Sequence, residues 1–134
     1  TWQTARMDAC PAHNQAHQEK RSVAGWHTLV LQIKNGKTRH YLDGVLLAEH
    51  GGRNYPVVPM SINFNLWFSP GGLLPVSKTS RMYEQDVDWV MHAKDQLLSP
   101  DQVADKVQNF RLNSEAYVDN LAPATPILTS TCDF

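Results

Sequence analysis

The sequence predicts an all-β fold followed by one short helix, and three observations carry that prediction. Asn35-Gly36 and Asp43-Gly44 each join two β-rich runs through a residue pair that tolerates positive φ. Pro59 to Phe68 alternates strictly, with Met60, Ile62, Phe64, Leu66 and Phe68 on one side and Ser61, Asn63, Asn65 and Trp67 on the other. Ser99-Pro100-Asp101-Gln102 is a complete helix start, with Ser as N-cap, Pro at the first helical position and Gln three residues after the cap.

Along the chain, residues 1–24 form a polar N-terminal segment. Thr1 to Met7 fits a short strand, and the polar run from Pro11 to Arg21 fits a helical turn. From Gly25 the pattern sharpens. Residues 26–34 alternate, with His27, Leu29, Leu31 and Ile33 on one side, and their β-branched and aromatic content favours a strand. His27 on that side reads as a buried, hydrogen-bonded histidine. The Asn-Gly turn then returns the chain through 37–42, and the Asp-Gly turn leads into 45–49, giving a three-stranded meander. Gly51 to Asn54 is a loop, 59–68 a long strand, and 69–80, with Pro70-Gly71-Gly72 and Pro75, an irregular excursion. A last strand is expected over 85–92. Residues 25–94 thus make up the β portion, and 95–134 hold the helix (100–110) and a Thr/Pro/Ser-rich tail. Val103, Val107 and Phe110 share one helical face, and Leu98 with Val103 can form a hydrophobic staple.

The bulk numbers bound the function. A chain of 134 residues suits one domain. Its 42% hydrophobic and 19% charged residues read as globular. A net charge of −1 gives no electrostatic reason to expect nucleic acid or an anionic membrane as partner. No apolar run approaches the roughly 20 residues that span a bilayer. No signal-peptide pattern follows Thr1, which fits a mature product whose leader is gone or an excised fragment. Cys10 and Cys132 fit one disulfide tying the ends, two free thiols, or a bridge to another chain. The tail from Ala122 to Thr131 favours a secreted protein.

The polar side of 59–68 is the candidate binding surface. Amides and an indole recur there at about 7 Å intervals along a strand. Amides offer donors and acceptors, and tryptophan offers a flat apolar plate with an N–H edge. Sugars present the matching surfaces: hydroxyls at the ring edge and C–H groups on the ring face. The alternative is a solvated sheet face with one exposed Trp. The sugar-cleft reading is preferred, because a large aromatic between amides is a poor choice for solubility alone.

Gly25-Trp26-His27-Thr28-Leu29, Tyr41-Leu42-Asp43-Gly44, Asn65-Leu66-Trp67 and Asp86-Val87-Asp88-Trp89-Val90 occur in that order. Together they resemble the C-terminal half of glycoside hydrolase family 16, the laminarinases, lichenases and related β-glucanases on a concanavalin A-like jelly-roll β-sandwich. The resemblance covers residues 25–94. It implies that Asn65 and Trp67 line a glycan cleft on the concave sheet; Asn63 joins them from the strand pattern alone. The family's Glu-x-Asp-x-Glu signature, which supplies nucleophile and general acid, belongs upstream of Trp26. Only Asp8 and Glu19 lie there, too far apart to share one short strand. A jelly roll of this type needs about a dozen strands in two packed sheets, and about five or six are legible. A lone half exposes strand edges and an apolar face. The resemblance therefore implies an incomplete half, completed by a second polypeptide carrying the N-terminal half or by oligomerisation.

Other chemistry is weaker. Glu84, Asp86 and Asp88 alternate and so share one strand side, but retaining glycosidases need two carboxyls about 5–5.5 Å apart. A polar strand face, with Asp88 anchoring a loop, is the preferred reading. Cys10-x-x-His13-x-x-x-His17 has spacing for metal ligands on one helical face, yet a structural zinc needs a fourth ligand and the stretch is polar and Gln-rich. No metal or cofactor is expected: there is no phosphate-binding Gly-rich loop with Lys, and no nucleophile elbow. The expected function is the C-terminal part of a secreted β-glucan-active protein, binding glycan through Asn63, Asn65 and Trp67 while another chain supplies the carboxylates. The alternatives are a non-catalytic lectin-like glycan-binding module and a structural or inhibitory secreted protein on the same fold.

Overall fold

The computed structural model describes residues 2–6, 13–58, 60–66, 80, 82–123 and 125. In chain order its elements are β1 (Trp2–Arg6), β2 (His13–His17), β3 (Leu29–Lys34), β4 (Lys37–Leu42), β5 (Val45–Gly51), a 3-10 turn (Gly52–Asn54) and α1 (Pro100–Leu112). Two small antiparallel sheets with one short helix make this an all-β chain among the described residues.

The meander forms as its turn chemistry demands. Asn35 and Gly36 (φ 53° and 71°) close β3 on β4, and Asp43 and Gly44 (φ 50° and 82°) close β4 on β5. Positive φ at both central residues is the type I′ signature, whose twist matches that of the flanking strands. The ladder β3–β4 runs from Leu29↔Leu42 to Lys34↔Lys37. In β4–β5, Tyr41 faces Leu46 but His40 faces Ala48, so Leu47 is an extra residue that bulges out of the ladder.

Strand β3 starts later than its alternation predicts. Residues 26–28 lie beyond the end of β4 and are held by the turn aspartate instead. Asp43 Oδ1 accepts from Thr28 N at 2.9 Å, and Asp43 N donates to Thr28 O at 2.9 Å. His27 is hydrogen-bonded, its Nδ1 2.7 Å from Asp43 Oδ2, but it lies at the surface and is not buried, because no layer covers that end of the sheet.

The N-terminal segment corrects a second expectation. His13–His17 is a strand and not a helical turn, because it finds a partner: β1 and β2 pair antiparallel from Trp2↔His17 to Arg6↔His13. This hairpin lies against β5 and the 3-10 turn. It covers the β5 end of the sheet side that carries Thr38, His40 and His50, and leaves Leu29 and Leu31 of β3 on that side exposed. On the other side, Gln32 Nε2 donates to Leu98 O at 2.6 Å and Gln32 Oε1 accepts from Tyr41 Oη at 3.2 Å, tying the start of α1 to β3.

Helix α1 has the predicted capping box: Ser99 Oγ accepts from Gln102 N at 3.2 Å and Gln102 Oε1 accepts from Ser99 N at 2.8 Å. It runs to Leu112, past the predicted end at 110, and stops where Ser114 takes φ 56°. Glu115 N then donates to Phe110 O and Ser114 N to Arg111 O, a Schellman closure without glycine.

Among the described residues the expected strands over 59–68 and 85–92 do not form: residues 60–66 and 85–92 have no ladder partner there. Met60, Ile62, Phe64 and Leu66 remain 58%, 59%, 52% and 47% exposed. Alternation specifies which side a strand would bury, but a strand exists only if another backbone completes its hydrogen bonds. The apolar core among the described residues is correspondingly small: Leu42 and Val103 are buried, as are the polar Thr38, His50 and Asn54.

Candidate functional site

Of the glycan-contact candidates, Asn63 and Asn65 are exposed, and Trp67 lies outside the described residues. Asn63 Nδ2 donates to Ser61 Oγ at 2.8 Å, so these two side chains share one side of an extended chain, as their alternation requires. Among the described residues no layer covers either amide.

Glu84, Asp86 and Asp88 are exposed and lie in a segment with no strand, so no ladder holds them on one face. Asp88 is ion-paired with Arg111 of α1, which makes it an anchor between the 82–99 segment and the helix.

Cys10 lies outside the described residues. His13 and His17 sit on the strand β2, about 13 Å apart along the backbone, and not on the helical face that the metal-ligand reading assumed. Each has another partner. His13 Nδ1 lies 3.0 Å from the Asn54 side chain, and His17 Nε2 lies 2.7 Å from Glu19 Oε1. Turned to satisfy both its ends, the buried Asn54 amide donates to His13 O at 3.1 Å and accepts from Gln15 N at 3.2 Å. Among the described residues no three His, Cys, Asp or Glu side chains gather as ligands.

The fold assembles a cluster that sequence patterns did not indicate. Thr4 Oγ1 is hydrogen-bonded to His50 Nδ1 at 2.8 Å and lies 3.4 Å from His40 Nε2. The two imidazole rings are 5.0 Å apart between centroids and tilted by 55°. Beside them is a recess of about 240 Å³ lined by Thr4, Leu31, Ile33, Thr38, His40 and Met60, among others. Thr38 Oγ1 is buried there without a hydrogen-bond partner among the described residues. Burial, and after it the neighbouring His50 ring, holds the His40 imidazole below its ordinary pKa.

The bulge explains why this cluster is hard to foresee. Counting back from the Asp43-Gly44 turn in regular register sets His40 against Leu47 and Thr38 against Glu49, which puts His50 on the opposite side of the sheet. One extra residue at Leu47 moves Ala48 and His50 to the side of His40. The opposite side receives the charges: Glu49 lies 2.8 Å from Lys37 Nζ and 2.7 Å from Arg39 Nε, and these two cations hold its carboxyl below the usual range.

Chemically, the recess offers apolar walls, hydroxyls and an imidazole, with no carboxylate among its lining residues. That set can bind, but it lacks the paired carboxyls of glycoside hydrolysis. Comparison with protein-family models, with curated proteins and with solved structures finds no match to this chain.

Proposed function

We propose that this chain is the C-terminal part of a secreted carbohydrate-active protein resembling the family 16 β-glucanases. In this reading it belongs to a concanavalin A-like jelly roll whose remaining strands come from another polypeptide or a second copy. Asn63, Asn65 and Trp67 contribute to a β-glucan cleft, and the catalytic carboxylates lie outside this chain.

The observation that carries the proposal is the uncovered apolar side. Leu29 and Leu31 on the sheet are 66% and 54% exposed, and Met60, Ile62, Phe64 and Leu66 are about half exposed in an extended run with no partner. Full burial of one such side chain contributes roughly 1.5–3 kcal/mol, so several kcal/mol await a covering layer. A second sheet supplies that layer and the missing ladder together, and it leaves Asn63 and Asn65 on the open side. One alternative, a non-catalytic glycan-binding module, uses the same Asn63, Asn65 and Trp67 face.

Two measurements test the proposal. Intact mass of the native material, reduced and unreduced, should reveal a second chain carrying the acid signature if the protein is an enzyme; a lone 15.1 kDa species favours the binding module. Calorimetry with β-gluco-oligosaccharides should then show binding that Trp67→Ala weakens by about 1–3 kcal/mol, the scale of a hot-spot aromatic. No detectable affinity of the native assembly for any β-glucan ends both readings.

A further inference from the structure

The β1–β2 hairpin is docked largely through polar contacts. Thr4 reaches His50 and His40, Gln15 Oε1 accepts from Gly51 N at 3.0 Å, and His13 meets Asn54. An isolated two-stranded hairpin is at best marginally stable in water, so docking is what keeps this one ordered. We infer that the His40–His50 pair is an acid-sensitive latch, which holds the hairpin on the sheet and releases it when His40 takes up a proton.

A proton on His40 places an imidazolium beside the second ring, at 5.0 Å between centroids, in a recess walled by Ala5, Leu31, Ile33 and Met60. Nothing described on that side neutralises it. Strand β3 presents Leu29, Leu31 and Ile33, β4 presents Thr38 and Leu42, and β5 presents Ala48. The hairpin brings His13 and His17, and Glu19, the carboxylate near them among the described residues, is already engaged by His17 and by Arg21 at 3.3 Å. Arg53 of the 3-10 turn is exposed, and Lys37, Arg39 and Glu49 pair with one another on the far side of the sheet. Undocking returns His40 to water, where its charged form is solvated.

The direction follows from linkage. The docked state holds the His40 pKa below its ordinary 6.5, so the undocked state binds the proton more readily. Docking is therefore complete above the ordinary value and is lost as pH falls through the lower, docked-state value.

Hydrogen exchange read by mass spectrometry on the full chain as isolated tests the latch, over about pH 8 to 5 with labelling times scaled to the intrinsic rate. Peptides covering 2–6 and 13–17 should lose protection by up to about tenfold per pH unit between the ordinary and the docked-state values, the slope of one proton, and then level off, while 100–112 keeps its own. His40→Gln retains a side chain able to hydrogen-bond Thr4 and should flatten the pH response. Hairpin protection that stays constant over the range overturns the latch, as does its loss together with the helix in one global transition. A folded His40→Gln chain that releases at the wild-type pH overturns it too. If that variant is unfolded at the upper pH, the wild-type contrast between hairpin and helix decides alone.

Discussion

Residues 29–51 and residues 60–66 both place apolar and polar side chains in alternation, yet only the first stretch forms a sheet. In the first, each strand is two residues from its partner, and the turn residues already favour the required positive φ. Closing such a short loop costs little entropy, so the ladder forms where the sequence places it. In the second, no neighbouring turn supplies a partner, and among the described residues nothing covers the half-exposed Met60, Ile62, Phe64 and Leu66. Alternation is thus a statement about sides, and turn chemistry is a statement about pairing.

The largest expected contrast comes from truncating one apolar side chain in each region. Leu42, only 3% exposed, should cost about 2–4 kcal/mol as Leu42→Ala, measured by urea denaturation. Phe64→Ala, at a 52% exposed position, should change stability by less than about 0.5 kcal/mol. A loss of about 3–5 kcal/mol at Phe64 would mean that the segment is covered in solution, and the contrast would dissolve in favour of a completed sandwich.

A backbone substitution isolates the turn. Gly44 has φ 82°, and a Cβ there meets nothing within 4 Å, so Gly44→Ala reads conformational cost alone. It should destabilise the meander by about 1–2 kcal/mol in the same denaturation experiment. No loss would show that the pairing does not depend on a type I′ turn. The helix offers a smaller, separate test of local coding. Ser99→Ala removes the reciprocal cap and should cost about 1 kcal/mol, visible as a lowered helical signal and melting temperature.

Thr38→Val differs in sign. The hydroxyl is buried without a partner among the described residues, so the near-isosteric apolar replacement should be neutral or stabilising by up to about 1 kcal/mol. A clear destabilisation would mean that the hydroxyl is satisfied in solution by water within the recess.

The candidate site divides along the same line as the fold. Asn63 and Asn65 are named by the alternation of 59–68 alone; both are exposed, and so are Met60, Ile62, Phe64 and Leu66 on the other side. The Thr4–His40–His50 cluster was not legible in the sequence, because it depends on the Leu47 bulge and on a hairpin some 36 residues from His40 in the chain. The N-terminal hairpin was unclear for a related reason. His13-Asn14-Gln15-Ala16-His17 has no β-branched or large apolar residue, and it becomes a strand only because β1 supplies the ladder.

What the sequence determined by itself was local: two type I′ turns, the three strands they join, and a helix begun by Ser99-Pro100-Asp101-Gln102. Each depends on φ preferences or hydrogen bonds within a few residues, which need no distant partner. The tertiary structure decided where β3 begins, that residues 13–17 are a strand, which side of the sheet His50 occupies, and that 60–66 stays open. Those outcomes depend on ladders and bulges between separate segments, and a side-chain pattern of period 2 does not say which backbone will complete it.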